Sequence, residues 1–124
     1  MKKNQQNKCN INFNEIANLK NILKISYNLK ELDDKTEILK ALADPSRLQI
    51  LYLLSIRDLY VCEIMEVLEK PQSTTSHHLN MLRKAGFIEK EKQGVWTLYK
   101  LKNSEIINYI DKICELRRLN RRYQ

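Results

Sequence analysis

Glycine and proline are scarce in this chain, two of each in 124 residues. So few turn signals argue against a loop-rich fold and predict a mainly helical chain with short connections. Cysteine is nearly as rare: Cys9, Cys62 and Cys114 are odd in number, far apart, and form no CxxC pair. That spacing is not that of a zinc ribbon, and reduced thiols are expected. The polar, basic N-terminus has no apolar run long enough for a secretory signal or a membrane span, so a cytoplasmic protein is expected, with no membrane partner. A glycine-rich phosphate loop is also missing, as is any His, Cys or carboxylate cluster with nucleophile-base spacing, and an enzyme is not expected.

Acidic residues are outnumbered, 15 against 22 Lys and Arg, for a formal charge of +7. The excess favours an acidic polymer as partner, because clustered cations release counterions from phosphates. Charge alone does not separate DNA from RNA or anionic lipid. A hydrophobic content of 43% supplies one modest core and no second.

Residues 1–12 lack apolar periodicity and read as a flexible N-terminal tail. From Asn14, the residues Ile16, Leu19, Ile22, Leu23, Ile25, Leu29 and Leu32 recur in steps of three and four, predicting one long helix with a broad apolar stripe. A second helix is expected from Asp34 to about Ala43. Asp44 then caps a third, with Pro45 at its first position and Leu48, Leu51, Leu54 and Tyr52 on its core face. A short helix bears Val61, Ile64, Met65 and Leu68 and stops before Pro71. The next, residues 73–85, is capped by Ser73 or by a residue just before Pro71, turns Thr75, Leu79 and Leu82 inward, and ends at Gly86 in the left-handed region. Beyond Gly86 the period changes to two. Residues 87–92 and 95–101 read as strands joined by Gln93-Gly94, and Asn103 or Ser104 caps a last helix with Ile106, Ile107, Ile110, Ile113 and Leu116 on its apolar side.

Two short helices joined by a tight turn and followed by a hairpin are the parts of a winged helix-turn-helix, a mainly α fold with a small β-hairpin. Its second helix can enter the major groove of double-stranded DNA. The run Gln72, Ser73, Thr74, Thr75, Ser76, His77 places short hydrogen-bonding groups at the helix end that meets base edges. Ser73 taken alone reads as a cap. Arg83 and Lys84 at the helix end and Lys90 and Lys92 in the hairpin are candidate phosphate contacts. His77 and His78 are neighbours whose directions differ by about 100°, so His77 is expected to face DNA and His78 to pack or hydrogen-bond within the domain. Of the thiols, Cys62 beside Val61 and Met65 reads as a small, inert, half-buried residue. Cys114, in helical step with Ile107 and Ile110, reads as interface packing or, alternatively, as a redox partner.

The runs LKALADPSRLQILYLL and DLYVCEIMEVLEKPQSTTSHHLNMLRKAGFIEKEKQGVWTLYKL, spanning residues 39–101, resemble the ArsR/SmtB family of metal- and metalloid-sensing repressors. The resemblance implies a homodimer whose first and last helices form the interface, so that residues 13–124 make up a DNA-binding domain with terminal dimerisation helices. It implies a repressor that binds a palindromic operator, its reading helices about 34 Å apart, and that an effector releases. Many members carry Cys-Val-Cys where this chain has Tyr60-Val61-Cys62, so one ligand of a soft-metal site is absent. Cys62 with Cys9 is the remaining candidate for a thiophilic metal or metalloid. A zinc site on the last helix is lost or altered, since Asn103, Glu105, Leu116 and Leu119 stand at its positions. Lys70 replaces a usual apolar residue in the turn, and Val95 follows Gly94 where Arg is common. These departures keep open another reading, a winged-helix module that docks protein or RNA without reading an operator. The basic end, Arg117, Arg118, Arg121 and Arg122, suits either DNA flanks or a solvated helix end.

Overall fold

The computed structural model describes residues 10–122, with side chains through residue 118, so Cys9 lies outside the described residues. The chain divides after Thr36 into two units. In the first, α1 (Phe13–Ser26) is capped by Asn12, whose Oδ1 accepts hydrogen bonds from the N–H groups of Asn14 and Glu15 at 3.0 and 3.3 Å. The expected single helix through Leu32 is broken instead. Tyr27 leaves helical geometry at φ −136°, and Asn28 Oδ1 caps the next helix by accepting from Glu31 N–H at 2.9 Å, so that α2 runs Leu29–Leu42. An Asn side chain satisfies the new helix end as well as another turn would, and an apolar stripe that continues across the break conceals it. No residue of α1 is buried; Leu19, Leu23 and Ile25 are more than half exposed.

The second unit starts from the expected cap: Asp44 Oδ2 accepts from Arg47 N–H at 3.1 Å, and Pro45 opens α3 (Pro45–Ile56). This helix buries Ile50, Leu51 and Leu54 together, a wider stripe than the expected face, and Tyr52 turns outward to donate to Asp111. A helix packed from two sides must bury neighbouring as well as i+3 positions. Leu59 and Tyr60 form β1 (Leu59–Tyr60), too short for any period-two signal. Next, α4 (Val61–Leu68) is held at its start by Glu63, which accepts from Tyr60 N–H at 3.0 Å and pairs with Arg57 at 2.6 Å. Arg57 above all, then the Tyr60 amide, keeps the Glu63 carboxyl below the usual range. At the far end Glu69 takes the left-handed conformation, φ 54°, and turns the chain toward Pro71.

The next helix, α5, is Gln72–Lys84, and its N-cap is Pro71 rather than Ser73. Starting one residue early, it has no side-chain cap at all. Its other end closes as expected: Gly86 at φ 88° donates to Arg83 O, and Phe87 N–H reaches back to Leu82 O, both at 3.0 Å. The hairpin is β2 (Ile88–Gln93) and β3 (Trp96–Leu101), antiparallel, with Gln93 opposite Trp96 and Gly94-Val95 as the turn. The turn is thus one residue later than Gln93-Gly94, because Gly94, at φ 66°, is its first residue. With β1 on the outer side of β3 the sheet order is β1-β3-β2. Asn103 Oδ1 accepts from Glu105 N–H at 2.9 Å and caps α6 (Glu105–Arg122). Among the described residues no helix is long and apolar enough to cross a membrane.

One core joins these elements: Ile50, Leu51 and Leu54 of α3 meet Ile64 of α4, Leu79 and Leu82 of α5, Ile88 of β2 and Ile110 of α6. Each such side chain contributes about 2 kcal/mol by leaving water, against under about 1 kcal/mol for an exposed ion pair, so aliphatic packing sets the position of α5. Polar contacts set its rotation. Arg47 donates from Nε to Ala41 O at 2.7 Å and from Nη2 to Lys40 O at 3.1 Å, and its Nη1 lies 3.2 Å from His78 Nδ1. Because guanidinium only donates, His78 Nδ1 accepts, and the ring is neutral with its proton on Nε2. Burial, with the charges of Arg47, His77 and Lys70, holds the His78 pKa below its ordinary 6.5 despite Asp44 at 3.8 Å. Burial alone would raise Asp44, but the Arg47 amide, the Arg47 charge and the Ser46 amide keep it below its usual range.

Two outcomes are expected. The folded chain refuses a proton at His78 that the unfolded chain takes up, so this group's contribution to stability is present above pH 6.5 and lost as pH falls below it. Urea unfolding across that range should show the loss, and His78→Gln should flatten it; an unchanged slope would place the proton uptake elsewhere. The second concerns Thr75, fully buried in α5, whose Oγ1 has no partner among the described residues. Thr75→Val should raise stability by about 1 kcal/mol, because an unpaired buried hydroxyl costs roughly that much. A lower denaturation midpoint would show that the hydroxyl is bonded after all.

Candidate nucleic-acid interface

With Thr75, Leu79 and Leu82 turned into the core, helical geometry sends the remaining α5 positions outward. Gln72, Ser73, Ser76 and His77 are exposed on the first turn and a half, followed by Asn80, Arg83 and Lys84. Thr74 is half-buried at the margin of this face, and His78 is turned inward to Arg47. Asn80 is the residue that sequence reasoning passed over. It lies four positions after Ser76 on the same face, a spacing that could have found it, and its Oδ1 accepts from Arg83 Nη2 at 2.8 Å. There is no Asp or Glu anywhere in α5.

The missing side-chain cap has a chemical consequence. The first amide N–H groups of a helix have no intrahelical acceptor, and with proline at the N-cap no side chain of this end supplies one. They point out of the helix end together with the positive end of its dipole, an arrangement suited to a phosphate oxygen. At the opposite end Arg83 and Lys84 add two exposed cations.

The hairpin carries charge differently on its two faces. Lys90 and Lys92 alternate with Glu89 and Glu91, so the lysines share one face and the glutamates the other. Lys100, across the strand pair, reaches Glu89 at 3.8 Å and Glu91 at 3.4 Å. The acidic face is therefore partly neutralised and the lysine face is not. Tyr99, paired with Lys90, belongs to the lysine face; burial raises its hydroxyl pKa while the nearby Arg83 charge pulls it down. Arg83 thus links the basic end of α5 to the basic face of the hairpin.

The thiols do not form a site among the described residues. Cys62, in the first turn of α4, is exposed rather than half-buried, since Val61 and Ile64 take the inward positions there; Cys114 is exposed on α6. No three His, Cys, Asp or Glu side chains among the described residues are grouped to hold a metal ion. Cys9, the other candidate thiol, lies outside the described residues, which hold Cys62 alone of that pair.

Comparison with known proteins places this geometry. Residues 44–90, from the cap of α3 into β2, match the family described as bacterial regulatory protein, arsR family. An uncharacterized HTH-type transcriptional regulator of Methanocaldococcus jannaschii is 42% identical over 89 residues, which are 71% of this chain and the whole of that one. The arsenical resistance operon repressor of Bacillus subtilis is 44% identical over 77 residues, 60% of this chain and 73% of the repressor. Among solved structures, the homodimeric winged helix-turn-helix DNA-binding domain of a possible ArsR-family regulator from Mycobacterium bovis superposes with a TM-score of 0.63 at 25% identity, covering 75% of this chain and 86% of that domain. With an outward polar helix, a basic hairpin and relatives matched along most of their own length, the chain belongs to the arsR family of bacterial regulatory proteins, as a DNA-binding transcriptional regulator of winged helix-turn-helix form and not an enzyme.

Proposed function

We propose that the chain represses transcription by binding a palindromic operator as a homodimer. The observation that carries this reading is the outward face of α5, an acid-free row of hydrogen-bonding side chains with an uncapped amide end. Gln72, Ser73, Thr74, Ser76 and His77 are the candidates for base edges in the major groove, Gln72 able to bond an adenine in two places. Arg83 and Lys84, with Lys90 and Lys92 on the hairpin, contact phosphates on either side.

Exposed apolar faces support the dimer. Tyr109, Ile113 and Leu116 lie along α6 at 59 to 61% exposure, and Leu19 and Leu23 along α1 at 55 and 57%. Large apolar side chains at helical spacing on a surface are what a second copy would cover, and the Mycobacterium bovis neighbour is itself homodimeric. Two-fold symmetry then repeats the reading helix about 34 Å away, one turn of duplex. Thiol chemistry is the regulatory half of the proposal: Cys62 and Cys114 are both exposed residues with free thiols, and the Bacillus subtilis relative is named for arsenical resistance.

Fluorescence anisotropy with the chain's own upstream duplex and a random duplex, at several salt concentrations, tests the reading. Lys84→Ala should weaken binding to both and lower the salt slope by about one. Gln72→Ala should leave random DNA nearly untouched and cost about 1 to 3 kcal/mol on the preferred sequence. Equal losses on both duplexes for both variants would remove α5 from the reading role. Arsenite, cadmium or peroxide titrated into the complex should release the DNA, with Cys62→Ser resistant; release that ignores both exposed cysteines would end the thiol mechanism.

A further inference from the structure

On the inner side of α5 one polar contact holds only while a ring nitrogen carries no proton. His78 Nδ1 accepts from Arg47 Nη1 at 3.2 Å, and Asp44 Oδ2 stands 3.8 Å from the same nitrogen, beyond hydrogen-bond reach. Arg47 is not free to follow a change. Its Nε lies 2.7 Å from Ala41 O and its Nη2 3.1 Å from Lys40 O, both at the end of α2. Asp44 is committed as well, as the cap of α3. The charged and titratable groups around the ring are Asp44 and Arg47 at the start of α3, Lys70 in the turn before α5, and His77 of its own helix. Asp44 is the only carboxylate among them. The His78 side chain is 12% exposed, enough to exchange a proton with water.

We propose that Asp44, Arg47 and His78 form a proton switch on DNA binding: a proton on His78 Nδ1 expels Arg47, draws the ring to Asp44, and turns α5 out of its reading orientation. The inference rests on the DNA-binding reading and adds to it a control that needs neither thiol nor metal. Protonation changes Nδ1 from acceptor to donor. Two cationic donors then face each other at 3.2 Å, and a pair with Asp44 becomes the better contact. To form it, the 3.8 Å separation has to shorten by about 1 Å. Because Arg47 and Asp44 are tied to α2 and α3, the ring moves, and α5 moves with it. Aliphatic burial beneath the helix is non-directional and resists such a turn weakly. Gln72, Ser76 and His77 share the helix with His78 and leave their places together. His77, exposed on the reading face, acts in the opposite sense, since as a cation it adds attraction to phosphates.

Fluorescence anisotropy of the full chain with its own upstream duplex, at constant ionic strength between about pH 7.5 and about pH 5.5, covers the range in which histidine titrates. The chain has two. With the opposing group removed, the Kd of His77→Gln should rise about tenfold on acidification, the effect of one hydrogen bond to a charged group, while helical circular dichroism stays constant. Adding His78→Gln, which keeps an oxygen acceptor for Arg47 and takes up no proton, should abolish the rise. Asp44→Asn, which keeps a capping side chain but removes the charge that receives the ring, should move the midpoint of the rise to lower pH. Imidazole nitrogen shifts in NMR spectra should place the His78 proton on Nε2 at the higher pH and on both nitrogens at the lower. A Kd that ignores pH in His77→Gln overturns the proposal, as does a rise that persists after His78→Gln, an unmoved midpoint for Asp44→Asn, or a proton on Nδ1 at the higher pH. Helical signal lost together with binding would make the effect acid unfolding and overturn it too. Failure to bind any duplex at either pH and low ionic strength would bring down the DNA-binding reading, and this inference with it.

Discussion

The contact between α3 and α5 governs the rest of the molecule. Ile50, Leu51 and Leu54 form the surface on which Leu79 and Leu82 rest, and each pairing inside fixes which residues stand outside. Since successive α5 residues are about 100° apart, burying Thr75, Leu79 and Leu82 obliges Gln72, Ser76 and Asn80 to face solvent. The functional surface is the complement of the core, and a rotation of α5 by one residue would replace it with a different set of groups.

Aliphatic burial is non-directional and sets that rotation only coarsely. The network of Asp44, Arg47 and His78 adds direction. Arg47 spends its donors on two backbone carbonyls at the end of α2 and on one ring nitrogen of α5, which leaves His78 with a single acceptable tautomer. The residue next to it, His77, is thereby held outward. A pair of adjacent histidines thus divides its labour, one bonded inside the domain and one available to a partner.

Charge is distributed by the same backbone rules. The alternation of Glu and Lys along β2 looks neutral as composition, but the pleat separates the two signs onto opposite faces, and Lys100 from the neighbouring strand offsets only the acidic one. A helix end without a cap, Arg83 and Lys84, and the Lys90 and Lys92 face follow one another through the sequence and the fold. The net charge of +7 carries less information than this arrangement.

Local chemistry was enough to read much of this from the sequence. Asp44-Pro45, Gly86 and Asn103 act at helix ends through contacts with residues two to five positions away, so their roles are legible without a fold. The same is true of the inward set of α5 and of the pattern running from residue 39 to 101. What required tertiary structure depends on partners far along the chain. The strand at Leu59–Tyr60 exists because β3 offers it two pairs; Ile50 is buried because α3 is packed from two sides; Tyr60 finds Gln93 and Trp96 more than thirty residues later. The break at Asn28 was local but hidden, since an apolar stripe continues across it and periodicity cannot distinguish one helix from two in step. Period and capping are short-range properties that a linear reading can reach, whereas burial, pairing and the company a side chain keeps are set only when distant segments come together.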